Sequence, residues 1–182
     1  MGKIYATITP ELREWLQRQR MFFVATSPLA GDGHVNCSPK GTDSFRVLGD
    51  REVAYHDLTG SGIETVAHLR ENGRIVLMFC AFDGPPMIVR LHGRGTVLEP
   101  KDAGFAEMAA LFPADPGSRA IIRVALERVS DSCGFAVPRF DFVSERDALR
   151  RFAEKKGADG LAVYRDKNNH ASIDGLPGLA PH

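Results

Sequence analysis

Between Met87 and Glu99 the chain alternates. Ile88, Arg90, His92 and Arg94 fall on one face of an extended segment, and Val89, Leu91, Gly93 and Gly95 on the other. That is the pattern of a half-buried strand, and its two glycines predict a bend or bulge. The preceding run, RIVLMFCAF at 74–82, is almost continuously apolar, as in a strand covered on both faces. MFFVATSP at 21–28 and VNCSPKG at 35–41 predict two further short strands, the second stopping at Pro39. Phe45–Leu48 and Glu52–His56 flank Gly49-Asp50 and predict a hairpin. Segment 119–132 admits two readings. Ile122, Val124 and Leu126 alternate as in a strand, whereas Ile121, Ala125 and Val129 also suit a helix; the strand is preferred.

Helical spacing appears in four places. Thr9-Pro10-Glu11 supplies an N-cap, a proline at N1 and an acidic first turn, and Leu12, Trp15 and Leu16 form a stripe ending near Arg20. After residues 57–62, Ile63, Val66, Ala67 and Arg70 form a second, with Asn72-Gly73 as its stop. Pro100–Leu111 forms a third, with Phe105, Met108, Ala109 and Phe112 as its stripe. Ser144 with Asp147 resembles a capping box, Leu149, Phe152 and Ala153 follow, and Lys155-Lys156-Gly157 closes the helix. The tail from Asn168 to His182 is expected to lack regular structure. Strands linked mostly by hairpins, without βαβ alternation, argue against a doubly wound parallel sheet. The expected fold is α+β and mainly β: a six- to seven-stranded antiparallel split barrel with peripheral helices. It forms a single domain over 1–182, with a helical C-terminal extension from about residue 133.

Composition narrows the function classes. With 23 basic and 23 acidic residues among 182, the chain lacks the positive excess that nucleic acid or an anionic membrane attracts. The three cysteines are odd in number and widely spaced, so neither a disulfide framework nor a zinc cluster is expected. The six histidines show no ligand spacing, and no metal is expected. No apolar run approaches the ~20 residues of a membrane span. The start, MGKIYATITPELREW, has no signal-like apolar core, so a cytoplasmic protein is expected.

One segment carries candidate chemistry: Leu58-Thr59-Gly60-Ser61-Gly62-Ile63-Glu64-Thr65, between a strand and a helix. Glycines let a backbone approach a ligand closely, and helix N-terminal N–H groups attract anions. The segment is either a phosphate cradle or a strand-to-helix turn with a serine cap. Asn36-Cys37-Ser38-Pro39-Lys40-Gly41 places one cation at a strand end. No serine sits in a nucleophile-elbow context.

The order of these pieces resembles the flavin-binding split barrels related to pyridoxamine 5′-phosphate oxidase. VNCSPKG, a hairpin, AYHDLTGSG, a helix ending ENGRIVLMF and a strand ending HGRGTV follow one another as in that family, over residues 10–130. Its most specific piece is Glu71-Asn72-Gly73-Arg74 before an apolar strand, similar to the family's Asn-Pro-Arg element. The resemblance implies a homodimer holding FMN between subunits and acting as an oxidoreductase on a small-molecule redox substrate. It implies that Asn36, Cys37, Ser38 and Lys40 lie along the flavin, with Asp57, Leu58 and Thr59 beside it. Ser61 and Thr65 would hold the phosphate, and Ile88 and Arg90 would come from the partner. Where the family often has a basic pair at the phosphate helix, this chain has Ile63-Glu64-Thr65, which leaves Lys40 as the cation. The C-terminal Arg- and Trp-containing signature of vitamin B6 oxidation is absent, and Trp15 is the only tryptophan. A non-catalytic flavin sensor stays open, as does a relative holding deazaflavin or haem. For haem, His56, His92 or Cys133 would be the axial candidates.

Overall fold

The computed structural model describes residues 2–180. They form eight strands and four helices: β1 (Ile4–Tyr5), α1 (Pro10–Arg18), β2 (Phe22–Thr26), β3 (Asn36–Lys40), β4 (Phe45–Gly49), β5 (Glu52–Leu58), α2 (Glu64–Asn72), β6 (Arg74–Cys80), β7 (Ile88–Leu98), α3 (Phe105–Ala109), β8 (Ser118–Ser132) and α4 (Ala148–Asn168). The strands make one antiparallel sheet in the order β3-β2-β6-β7-β8-β5-β4, and β1 joins β8. The sheet is not closed: β3 and β4 are its two ends. The expected antiparallel split-barrel architecture is therefore the one observed, with eight strands rather than six or seven. The extra strand is the two-residue β1, too short to leave a periodic signal.

The sheet curls around a core of Phe22, Val24, Val53, Tyr55, Leu77, Phe79, Val89, Leu91, Ile122 and Val124. Alternation sets this up, because successive residues of a strand point to opposite faces. The helices α1 and α2 cap the core with Leu12, Leu16, Val66 and Leu69. Gly73 ends α2 in the left-handed conformation at φ 72°, where a Cβ would be strained. The sequence's bend occurs at Gly93, where the β7–β8 register shifts and an added Cβ would collide with the Ala125 carbonyl. Segment 119–132 is a strand, and at 15 residues the longest.

Four expectations need correction. The β3 strand runs through Pro39 to Lys40, because Pro39 lies on a sheet edge where its missing N–H costs no ladder bond. β6 is not covered on both faces: Val76 and Met78 are only half-buried. The third helix shrinks to five residues, beginning after Gly104 at φ 84°; its stripe residues Phe105, Met108 and Ala109 still pack with Phe112 over Ala54 and Ile121. The last helix does not stop at Gly157. That residue, at φ 65° and ψ 177°, is a kink between two helical pieces, and the chain stays helical to Asn168. Ser144 caps nothing there; Asp147 is the N-cap residue and makes no side-chain cap bond. Residues 169–180 have little regular structure beyond a bridge between Ala171 and Pro177, yet Leu179 enters the core. Met1, Pro181 and His182 lie outside the described residues.

Candidate functional site

The β3 edge strand has two faces with different fates. Asn36, Ser38 and Lys40 stand opposite the buried Thr26, Val24 and Phe22 and point inward. Cys37 and Pro39 point the other way, and Cys37 is exposed. The inward three border a cavity of about 280 Å³, shared with Leu58, Gly60, Gly62, Glu64 and Thr65. A second cavity of about 380 Å³ adjoins it along Pro39–Thr42, walled by Met21, Phe82, Phe140 and Phe142.

At the floor of the smaller cavity lies a buried charge cluster. Asp57, with 0% of its side chain exposed, accepts from Lys40 Nζ at 3.0 Å and from Arg119 Nε at 2.7 Å. Burial opposes ionisation, but the two cations outweigh it and hold the Asp57 carboxyl down at about 2. A bulge explains how Arg119 arrives. The β5–β8 register shifts between Asp57, opposite Ala120, and Leu58, opposite Ser118, so Arg119 has no facing residue. A bulged residue is re-aimed, and this one reaches Asp57, which strict alternation would deny it. Arg119 Nη1 also donates to Gly62 O at 2.9 Å and to Asn169 Oδ1 at 3.0 Å.

The glycine segment is tied down from behind. Asn169 Nδ2 donates to Gly60 O at 3.0 Å. Thr59 donates to Gly117 O at 2.8 Å and accepts from Arg165 Nε at 2.9 Å. Thr59 is thus buried and occupied, while Ser61 is exposed and borders neither cavity. The serine cap of the alternative turn reading is not formed, since Ile63 holds the N-cap position. Thr65 is buried at the start of α2, and its hydroxyl accepts from Asn36 Nδ2 at 2.9 Å. The other Asn36 amide hydrogen goes to Thr26 Oγ1 at 3.1 Å, and Thr26 pairs with His68 Nδ1 at 2.9 Å. Both Asn36 donors are therefore used, which leaves its carbonyl oxygen as an acceptor at the cavity.

The structure brings Asn36, Ser38, Lys40, Leu58 and Thr65 together around one cavity, with Asp57 beneath it. It separates them from Cys37 and from the outer-face residues Ile88 and Arg90, whose guanidinium donates to Ser132 Oγ at 3.0 Å. Sequence reasoning missed Arg119, Asn169 and Arg165. No signal marked them: the bulge is invisible in periodicity, and the helix bearing Arg165 was expected to end at Gly157. Of the haem candidates, His56 borders the cavity with Nε2 at 2.7 Å from Ser118 Oγ, and burial lowers its pKa. No carboxylate bonds its other ring nitrogen among the described residues, so no hydrolytic triad forms. His92 lies on the outer face, and Cys133 is exposed. Among the described residues there is no metal-holding group of three His, Cys, Asp or Glu. No described helix is long and apolar enough to cross a membrane.

Comparison with known proteins gives the chain's family and agrees with its fold. The sequence matches the pyridoxamine 5′-phosphate oxidase family over residues 8–133. The chain belongs to that family. A relative of the same family, the ustO protein of Aspergillus flavus, is 42% identical over 98% of this chain and 78% of its own length. Its match extends past residue 133, where the family match ends. Solved structures agree on the fold. HupZ of Group A Streptococcus superposes with a TM-score of 0.54 at 22% identity, covering 69% of this chain and 99% of that one. An oxidase-family protein from Lactobacillus delbrueckii gives 0.53 at 17% identity, covering 70% and 98%. A protein from Mesorhizobium loti described as FAD-binding gives 0.50 at 16% identity, covering 72% and 96%.

Proposed function

We propose that the protein is an FMN-binding flavoprotein that works as an oxidoreductase on a small-molecule redox substrate. The observation that carries this reading is the cavity between the inner face of β3 and the glycine segment, with two cations at its floor. Family membership and the FAD-binding description of one fold relative support it. The residues fit a phosphorylated flavin. Lys40 and Arg119 supply positive charge, Ser38 and Thr65 supply hydroxyls, and the Asn36 carbonyl oxygen accepts. The adjoining cavity offers Met21, Phe82, Phe140 and Phe142 as apolar walls for a planar ring. A bound flavin supplies the electron chemistry, and the chain's task is to hold and orient it. No acid or base is assigned, and Asp57 is unsuited to the role because its carboxyl is clamped and held ionised.

The reading includes a homodimer. Phe23, Val76 and Met78 form a half-buried apolar strip on the outer sheet face, bordered by Arg90 and His92. Ile88 and Arg90 on that face would reach the partner's flavin rather than their own. Vitamin B6 oxidation is not part of the reading.

The absorption spectrum of the purified protein, after incubation with FMN and gel filtration, tests the proposal. The two-banded near-ultraviolet and blue spectrum of oxidised flavin should travel with the protein. A Soret band would instead indicate haem, and a protein that emerges colourless would contradict the reading. Reoxidation of the reduced flavin by candidate acceptors separates an enzyme from a sensor.

A further inference from the structure

The buried cluster at the cavity floor is not neutral. At the floor Lys40 and Arg119 flank a single carboxylate, so two positive charges face one negative charge there, with the Glu64 carboxylate beside Gly62 on the cavity wall, and Arg119 itself is only 5% exposed. Burying net charge is costly, and a cluster of this kind gains when an anion completes it. Arg119 also has capacity to spare. Its Nε is committed to Asp57 and its Nη1 to Gly62 and Asn169, while Nη2 makes no hydrogen bond among the described residues. Nη2 is not sealed off either, and Arg119 borders the cavity. Nη2 is thus the unspent donor group of a residue on the cavity wall.

What fixes the guanidinium is partly outside the family's matched residues 8–133. Asn169, fully buried at the end of α4, bridges Arg119 Nη1 and the Gly60 carbonyl with its two side-chain atoms. Asn169 is locked in turn: its backbone carbonyl accepts from Leu179 N at 2.8 Å, and a Cβ at Gly178 would collide with that oxygen. Arg165, four residues earlier, holds Thr59 and the Ser118 carbonyl.

We propose that Arg119 is an anion-binding residue of this cavity, and that the C-terminal extension, through Asn169, is the device that holds it in place to accept a phosphate monoester. The proposal rests on the flavin reading only for the ligand's identity; the anion site stands on the geometry. Asp57 sets the guanidinium plane, and Asn169 prevents it from turning toward the glycine carbonyls alone. The phosphate then takes Nη2 together with the free donors of Lys40. Asn169 touches no ligand and is a positioning residue.

Arg119→Lys keeps a cation beside Asp57 but lacks the forked donors. Asn169→Ala keeps the Asp57 pair and leaves Nη1 to the glycine carbonyls alone. Each is compared with wild type by calorimetric titration with FMN, riboflavin and inorganic phosphate, after far-UV circular dichroism confirms folding. Arg119→Lys should lose FMN affinity roughly ten- to hundredfold, a charge-assisted hydrogen bond's worth, and leave riboflavin unchanged. Asn169→Ala should show the same selective loss at smaller size, and it carries the test alone should Arg119→Lys not fold. Phosphate should bind wild type and neither variant comparably. Equal FMN affinity in folded variants, or equal losses for FMN and riboflavin, would overturn the proposal. A wild type that binds phosphate in an Arg119-dependent way but no flavin would sink the flavin reading and leave the anion site standing. A wild type that binds both flavins equally and no phosphate would do the reverse.

Discussion

Tyr55 and Asp57 are two residues apart on the same inward face of β5, yet they belong to opposite kinds of interior. Tyr55 joins Phe22, Phe45 and Phe79, whose ring centroids lie 4.8–5.7 Å apart, in an aromatic plug. Asp57 sits in the Lys40–Arg119 cluster, equally shut off from solvent. The plug is what a fold needs, since burying one such side chain is worth about 1.5–3 kcal/mol. The cluster is what a fold avoids, because each buried ion costs several kcal/mol before pairing repays it. A costly cluster beside a favourable one fits our proposal that the cavity above it takes an anion.

The contrast can be broken from either end. The largest effect belongs to the plug: Phe79→Ala should cost about 3–5 kcal/mol of stability, read by denaturant unfolding, while the folded fraction keeps its FMN affinity. Asp57→Ala should cost nearly as much, about 3 kcal/mol or more, by leaving buried cations unpaired. Unlike the first variant, it should also change ligand binding. Lys40→Ala should weaken FMN binding by roughly one to two orders of magnitude, measured by fluorescence quenching, with riboflavin almost indifferent.

Acid offers the gentlest probe. The Asp57 carboxyl is held at about 2 against an ordinary 3.8, so its contribution is fully present above that ordinary value and is lost as pH falls toward 2. The shift is worth about 2 kcal/mol. Stability measured between pH 5 and 2 should fall by that amount more in wild type than in Asp57→Asn, and parallel curves would remove Asp57 from the account.

The same contrast explains what was legible in the sequence. The plug and its strands obey period two, so β2, β5, β6 and β7 could be read from alternation and apolar runs. On β3 the inward set Asn36, Ser38 and Lys40 follows from the same rule, and a Cys37 at the same cavity does not. The charged end depends on devices that periodicity cannot carry. Arg119 is turned inward by a one-residue bulge. Asn169 arrives on a helix that continues through a kink at Gly157, and is 109 residues from the Gly60 carbonyl it binds. The glycine segment was visible as a turn between strand and helix, but the use of its carbonyls by Arg119 and Asn169 was not.

The central claim is that the charged end of the interior recognises the phosphate of a flavin. Titrating the wild-type protein in parallel with FMN and with riboflavin tests it most directly. FMN should bind tighter by roughly one to two orders of magnitude, the worth of a charge-assisted contact to one ligand group. Equal affinities for the two flavins, or binding of neither by the folded protein, would contradict it.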